Sequence, residues 1–227
     1  MKVQSKKVTL FSQNVNDELF VISQDIAYFS LEEYGDVIMP NVERFFDQFP
    51  FSEEEREYYY PYYFWWMVFC SRGTYPNDRT IYQMFLQKNR WKFKKRPHLE
   101  STLLKWQYVI PSFFCIEEMA SERVFCLFDI FDYRNFKAVV IPQDMIKQPT
   151  CNDVLAGVIL PLADGGYFSV VDLFIIPDKI RAPLISKLIS FYRGDITITT
   201  GEFFSRHYPE MLKMTIDHLI ENKIEIQ

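Results

Sequence analysis

The 227-residue sequence is poor in glycine and histidine, and this scarcity excludes several familiar kinds of active site. Its seven glycines never fall in the G-x-G-x-x-G or G-x-x-x-x-G-K spacing of a phosphate-binding loop, and no G-x-S-x-G nucleophile elbow occurs. The three histidines, His98, His207 and His218, lack the H-E-x-x-H spacing of a zinc peptidase. The sequence therefore contains no motif of a known nucleotide-hydrolysing site, and no cofactor is predicted.

Cysteine is equally sparse, with four widely separated residues, Cys70, Cys115, Cys126 and Cys151. They form no C-x-x-C pair, so neither a zinc knuckle nor a thioredoxin-like motif is present, and we expect reduced, buried thiols. The second and third lie on neighbouring predicted strands. A three-residue turn would pair Met119 with Arg123 and put these thiols on opposite faces, whereas a two-residue turn would pair Met119 with Glu122 and set them directly across. Turn length favours the first arrangement.

Positive charge and long apolar runs are also lacking. The formal net charge of −5 disfavours a general electrostatic attraction to nucleic acid or to an anionic membrane. The longest apolar run, residues 62–70, falls well short of the roughly 20 residues needed to span a bilayer. Residues 1–13 contain no apolar core of signal-peptide length. The sequence therefore predicts a cytoplasmic protein without a membrane partner.

Residues 106–177 alternate β-rich runs with turn signals. The runs 112–119, 123–131 and 136–141 predict three connected antiparallel strands. Runs 154–160 and 167–176 flank Gly165 and Gly166, which permit a tight hairpin. The second strand is apolar on both alternations, so we expect barrel closure to cover one face and helices the other. The predicted class is α+β, with a five-stranded antiparallel meander or partly closed barrel between N-terminal and C-terminal helices.

The flanking regions predict helices, giving a mainly helical region 1–105, the meander 106–177 and helices 178–227 that pack on the sheet in one compact unit. Residues 1–13 are read as a ragged terminus or edge strand, and residues 14–29 as a weak helix. Capping-box patterns predict helix starts after Ser30 and Ser52. We expect Pro40 to kink or split the first of these helices and Arg72-Gly73 to end the second.

Further helix starts are predicted at Asp78, Pro97 and Asp178, and Thr200 and Pro209 are expected to frame two last helical pieces. The helix after Ser30 is expected to bury one apolar stripe, made of Leu31, Tyr34, Ile38, Val42, Phe45 and Phe49. The most aromatic helix, residues 58–69, is either central to the helical layer or a docking face. Ordinary burial preferences favour the central position.

Residues 88–96 hold six basic residues, two aromatic rings and no acid. Such a stretch suits a single-stranded nucleic acid, where charges follow phosphates and rings stack on bases. The candidate contacts are Lys88, Arg90, Trp91, Lys92, Lys94, Lys95 and Arg96. The alternative is a connector that packs Trp91 and Phe93 inward and pairs with the acidic segment 53–57. The negative overall charge favours the connector.

Aspartates in or beside the predicted strands are a second candidate site, represented by Asp129, Asp132 and Asp164, with Asp153 and Asp172 nearby in sequence. Hydrolysis with two metal ions needs several carboxylates to converge on ions about 4 Å apart. Aspartate in a turn more commonly binds its own backbone, so a structural role is favoured.

Several short motifs resemble the β-rich region of bacterial proteins that often end in a SEC-C zinc motif. They are Trp106, Ser112-Phe113-Phe114 with Ile116-Glu117, Asp129-Ile130, the run from Leu160 to Phe168, and Ile176-Pro177. The resemblance covers about residues 50–190 and implies fold more than activity, because its signature contains no catalytic residue. A SEC-C tail needs closely spaced cysteines with a terminal His or Cys. No cysteine follows Cys151, so the resemblance implies no zinc site here.

The absence of catalytic motifs and the aromatic content of 18% predict a non-catalytic cytosolic interaction protein, an adaptor or regulator that presents aromatic and charged surface to a macromolecule. Another protein is the favoured partner. Binding of single-stranded nucleic acid through residues 88–96 is the first alternative, and a metal-dependent hydrolase using the aspartates is the second. Homo-oligomerisation is left open.

Overall fold

The structure is a computed structural model that describes residues 3–72, 78–141, 148–194 and 197–224, with side chains from Val15 onward. Its helices are α1 Val3–Phe46, α2 Glu53–Phe69, α3 Ile81–Phe93, α4 Pro97–Lys105, a 3₁₀ helix Trp106–Tyr108, α5 Asp178–Arg193 and α6 Thr200–Glu221. Its strands are β1 Ser112–Ser121, β2 Val124–Asp129, β3 Asn135–Val140, β4 Val154–Gly157, β5 Ile159–Pro161, β6 Tyr167–Ser169 and β7 Phe174–Ile176. The predicted α+β class is confirmed.

Helix α1 is continuous for 44 residues, so the predicted start after Ser30 is wrong. Ser30 is fully buried, and its hydroxyl donates to the carbonyl oxygen of Ile26 over 2.6 Å instead of accepting from a new first turn. Leu19 and Ile26 are fully buried on the same helix, and this packed face stabilises the turns before Ser30. The helix also continues through Pro40 without splitting, and residues 3–13 are helical rather than an edge strand.

The predicted helix starts after Ser52 and at Pro97 are confirmed. The Ser52 hydroxyl accepts from the Glu55 backbone N–H over 3.2 Å while the Glu55 carboxylate accepts from the Ser52 N–H, and Pro97 is the first residue of α4. Thr80, not Asp78, caps α3, because Asp78 has a left-handed φ of 54°. Helix α2 ends at Phe69, and Gly73, predicted to close it, lies outside the described residues.

The last two helices begin at Asp178 and Thr200 as predicted, but neither residue is the cap. The N-terminus of α5 is capped by Asp153, whose carboxylate accepts from the Asp178 N–H, while Asp178 itself is the first helical residue. Helix α6 begins after Thr199, whose hydroxyl accepts from the Glu202 N–H over 3.2 Å. It then runs through Pro209 without division, so the two predicted pieces form one helix.

The sheet has seven strands in the order β5-β6-β3-β2-β1-β4-β7, so the predicted five-stranded antiparallel meander is wrong in detail. The antiparallel succession of β1, β2 and β3 is confirmed. Each of the last two predicted strands divides in two, giving β4 with β5 and β6 with β7, and β3 pairs with β6 in parallel. Gly157, with φ of 149°, ends β4 because it turns the chain out of regular strand geometry.

The sheet curls into a half-barrel. Strand β4 lies next to one edge of the strand order and β5 forms the other edge, yet only Val158 separates them in sequence. Because one residue spans only about 3.3–3.6 Å of extended chain, the two margins of the sheet must come close together at this point. The divided strands are thus a consequence of the bend that produces the curl.

The two faces of the sheet bury separate apolar clusters, as expected when neighbouring side chains alternate between faces. The inner cluster takes its buried members from the strands and the segments that join them: Phe114, Ile116, Phe125, Leu127, Val139, Ile141, Leu155, Ile159 and Leu173. The outer cluster includes Phe113, Ala156 and Phe174 and joins the sheet to the helices on both sides in sequence. On the other face of β2, Val124, Cys126 and Phe128 are only half-buried, so the predicted cover of that face by helices is incomplete.

The aromatic helix α2 is central to the outer cluster, which confirms the favoured prediction. Tyr59 and every residue from Tyr62 to Phe69 are buried. The indole N–H of Trp66 donates to the Phe204 carbonyl oxygen over 3.1 Å, which links α2 to α6. These rings serve as core and do not form a docking surface.

Neither predicted turn between β1 and β2 occurs. Met119 pairs with Phe125, Cys115 with Phe128, and Cys126 with Glu118, because two register irregularities interrupt the ladder. The two cysteines are therefore not directly opposite each other, and all four cysteines of the chain are free. Cys70 is buried as predicted, but Cys115 and Cys126 are half-buried and Cys151 is exposed, so the prediction of burial is wrong for these three.

Candidate interaction surfaces

The basic stretch lies at the end of α3 and in the connection to α4, and half of its positive charges are paired. Lys88 contacts Glu33 of α1 over 2.6 Å, Arg90 contacts Glu100 of α4 over 3.8 Å, and Arg96 pairs with Glu18 of α1. These acids come from α1 and α4 because α3 packs beside both helices, so the predicted pairing with residues 53–57 is wrong. Among the described residues, no ion pair involves Lys92, Lys94 or Lys95.

The two rings of this stretch lie on opposite sides of α3. Phe93 is buried, whereas the side chain of Trp91 is 74% exposed. Consecutive residues of an α-helix are about 100° apart, so rings separated by two positions cannot both face the core. The prediction that Trp91 packs inward is therefore wrong. The Lys92 ammonium lies 5.8 Å from the centroid of the Trp91 ring.

A groove of about 500 Å³ separates α3 from α4 and the 3₁₀ helix. Its apolar floor is formed by Leu86, Phe93 and Leu104, and its polar lining by Arg79, Gln83, Gln87, Arg90, Glu100 and Gln107. The side-chain amide oxygen of Gln83, Oε1, accepts from the Thr80 backbone N–H, which leaves the side-chain N–H groups of Gln83 to the groove. Gln107 donates to the Leu104 carbonyl oxygen, which leaves its own amide oxygen as an acceptor. The groove can therefore offer both donors and acceptors to a planar polar ligand.

Helix α1 carries a row of exposed apolar side chains that the sequence analysis missed. Its members, with their exposed fractions, are Phe20 40%, Val21 57%, Tyr28 73%, Leu31 43% and Met39 40%. Leu31 was predicted to face the core, and this is wrong because its side chain is among the exposed large apolar residues. Without the predicted start after Ser30, the spacing of Phe20, Tyr28, Leu31 and Met39 would have indicated one helical face.

Acidic residues border this row. Residues 15–43 contain seven acids and no lysine or arginine. Glu18 and Glu33 are paired with the basic stretch, while the remaining acids are exposed: Asp17, Asp25, Glu32, Asp36 and Glu43. The last four recur at intervals of seven and four residues, which places them in a second row along the helix. We call the apolar row and this acidic row together the α1 face.

A shallow hollow of about 260 Å³ continues the α1 face toward α2. Apolar side chains dominate its lining, with Met39, Val42 and Phe46 from α1 and Tyr60 from α2, while Glu43, Arg56 and Glu57 lie at its rim. Met39 belongs to both the exposed row and the hollow, so the two form a continuous surface.

The candidate aspartates have structural partners. Asp129 is buried, and its Oδ1 accepts from the Phe131 and Asp132 N–H groups over 2.8 and 2.9 Å. Burial raises the pKa of this carboxyl, although the two backbone donors act in the opposite direction. Asp132 pairs with Arg134, and Asp164 accepts from the Asn16 side chain over 2.9 Å and from the Gly166 N–H.

These contacts match the turn roles expected of aspartate. In the described part of the chain, no group of three or more His, Cys, Asp or Glu side chains is arranged to hold a metal ion. Across the same ranges, no helix is long and apolar enough to cross a membrane.

No family model, curated protein or solved structure matches the chain. The resemblance to the β-rich region of SEC-C-associated bacterial proteins therefore stays a prediction.

Proposed function

We propose that the chain is a non-catalytic cytosolic interaction protein whose α1 face binds a basic amphipathic helix of another protein. The observation that carries this proposal is the exposed apolar row from Phe20 to Met39, bordered by the acidic row of the same helix. We also propose a relationship to SEC-C-associated bacterial proteins. Their signature contains no catalytic residue, which agrees with a non-catalytic function.

The dimensions of the α1 face suit a helical ligand. From Phe20 to Met39 the row is about 28 Å long, at 1.5 Å per residue. An amphipathic helix of about 20 residues could lay its apolar side along this length, as helices do in other grooves. The hollow beside Met39 supplies a pocket for one anchoring side chain at the end of the row.

The acidic row of the α1 face favours a basic partner. A ligand helix with lysine or arginine on its flank would meet Asp25, Glu32, Asp36 and Glu43, for which no ion pair is found among the described residues. A second copy of this chain is a poorer occupant, because two faces with such an excess of acid repel each other. Complementary charge also accelerates association and rejects acidic competitors.

A synthetic peptide of about 20 residues tests the proposal, with leucines at helical spacing and lysines on their flank. Its fluorescence anisotropy is followed on titration with the full chain. Reversal of two acids, E32K with D36K, should raise the Kd about 5- to 30-fold, because exposed ion pairs contribute up to about 1 kcal/mol each and are replaced by repulsion. Tyr28→Ala should weaken binding at unchanged charge.

The matched control reverses two exposed acids elsewhere, E118K with E122K on β1 and its turn. This variant carries the same change in net charge and should bind the peptide nearly as the natural chain does. Equal weakening in the control, or equal affinity for a scrambled peptide of the same composition, would contradict a specific α1 face. Light scattering that shows a dimer abolished by Tyr28→Ala would assign the face to a second copy instead.

A further inference from the structure

We propose that the exposed ring of Trp91, the lysines around it and the groove between α3 and α4 bind a short single-stranded nucleic acid. This site is separate from the α1 face and does not depend on its function. The geometry carries it through three features: an unpacked stacking ring, a limited set of unpaired positive charges, and a groove whose lining matches base edges.

The first feature is the position of the aromatic rings beside the groove. Trp91 directly follows Arg90, and Tyr108 directly follows Gln107, so each ring succeeds a residue that lines the groove. Both rings are exposed, at 74% for Trp91 and 85% for Tyr108. A large exposed ring contributes little to the core, whereas it gives a flat platform on which an unpaired base can stack.

The second feature is the small number of basic side chains that remain available to contact phosphates. Lys88 and Arg96 are committed to acids of α1, and Arg90 contacts Glu100 at the groove. Lys92, Lys94 and Lys95 are exposed and have no ion pair among the described residues. Three lysines around one ring suffice for a short strand and do not require a positive net charge for the whole chain.

The third feature is the chemistry of the groove. Gln87 lines the groove and lies four positions before Trp91, so the two side chains are neighbours on the surface of α3. The amide oxygen of Gln87 accepts from Arg79, which leaves the amide N–H groups to a base stacked on the ring. The amide donors of Gln83 and the amide oxygen of Gln107 face the same groove. Bases that are splayed out of a strand are recognised by stacking together with hydrogen bonds to their edges, which this combination can provide.

Binding at this site can be measured by the fluorescence of Trp91. Trp65, Trp66 and Trp106 are buried, so Trp91 is the one tryptophan exposed to added ligands. Oligothymidine and oligoadenosine strands of about 12 nucleotides should quench its fluorescence on binding. Because three phosphates are neutralised, log K should fall against log salt with a slope of about −2, from about 0.7 for each contact. A slope of about −4 would indicate contact by all six basic residues and would contradict the assignment to these three lysines.

Variants separate the roles of the residues. Trp91→Ala, followed with a fluorescein-labelled strand, should weaken binding by about 5- to 150-fold while keeping the salt slope. K94E with K95E should weaken all strands alike and flatten the slope. The matched control, K179E with K187E on α5, changes the same number of exposed charges and should leave binding unaltered. Gln87→Ala should alter the ratio of affinities for oligoadenosine and oligothymidine at an unchanged slope.

The same titrations can also contradict binding of a single-stranded nucleic acid. Absence of quenching up to about 100 µM strand at physiological salt, the weak end of non-specific binding, would overturn the proposal. Equal weakening by the α5 control would reduce it to general charge attraction and overturn it as well. An oligoglutamate peptide of matched charge that quenches Trp91 as strongly would assign the surface to an acidic protein.

Discussion

The carboxylate of Asp153 accepts a hydrogen bond from the backbone N–H of Asp178, the first residue of α5, over 3.0 Å. Its second oxygen accepts from the Thr150 N–H over 2.7 Å, so one buried side chain ties the loop before β4 to the start of α5. A helix start commonly takes its cap from the adjacent residue, whereas this one takes it from 25 positions earlier.

Asp153→Ala should therefore lower the free energy of unfolding by about 1–2 kcal/mol, the usual cost of a lost cap. Asp178→Ala should cost less than about 1 kcal/mol, because that exposed side chain only complements the helix dipole. Urea denaturation of the two variants decides the matter. A larger loss for the Asp178 variant would show that α5 is capped locally.

Glycine at position 157 is required by the bend between β4 and β5. Its φ of 149° is costly for other residues, and a Cβ there would lie 2.9 Å from a methyl carbon of buried Leu173. Gly157→Ala should destabilise the fold by about 1–3 kcal/mol. Gly35→Ala in α1 is the control, because its Cβ would meet nothing within 4 Å and alanine favours helix by about 0.5–1 kcal/mol. Opposite shifts in Tm are expected, and a stable Gly157 variant would contradict the strain.

The parts of the fold that follow from local pattern were predictable, and those set by distant contacts were not. Strands β1 to β3 could be predicted because apolar alternation and turn residues lie within one segment. The bend at Gly157 depends on the pairing of β4 with β1 on one side and with β7 on the other. The cap at Asp153 comes from outside the helix that it serves.

For the candidate surfaces, predictions from local sequence patterns were also wrong in places. Ser30 followed by Glu33 matches a capping box, yet packing keeps Ser30 inside α1, and the predicted break concealed the α1 face. That Trp91 and Phe93 face opposite sides of α3 could have been predicted from sequence alone, because residues two positions apart on a helix point in nearly opposite directions. The ion pairs of Lys88 and Arg96 could not be predicted from sequence, because they depend on how α3 packs beside α1.

Asp129 should make stability depend on pH in a direction opposite to that of an ordinary paired carboxylate. Burial raises the pKa of this group in the folded chain, so the folded state holds the proton more tightly than the unfolded state does. The resulting stabilisation is fully present below the unfolded pKa of about 3.9 and is lost as pH rises through the higher folded value. At neutral pH the ionised side chain therefore costs stability.

Asp129→Asn keeps an oxygen for the Phe131 and Asp132 N–H groups but cannot titrate. As the pH falls from 7 toward 4, the natural chain should gain free energy of unfolding relative to this variant. Urea denaturation at several pH values measures the difference. A gap that stays constant, or that moves in favour of the variant, would show that burial does not raise this pKa.

Trp91 and Phe93 are two positions apart on α3, yet the first is exposed and the second is buried. Trp91→Ala should change the free energy of unfolding by less than about 0.5 kcal/mol, as exposed substitutions usually do. Phe93→Ala should cost about 3–5 kcal/mol, because it removes a buried ring from the outer cluster. Thermal and urea denaturation measure both variants. A large loss of stability for the Trp91 variant would restore the connector hypothesis and remove the stacking platform from the proposed nucleic-acid site.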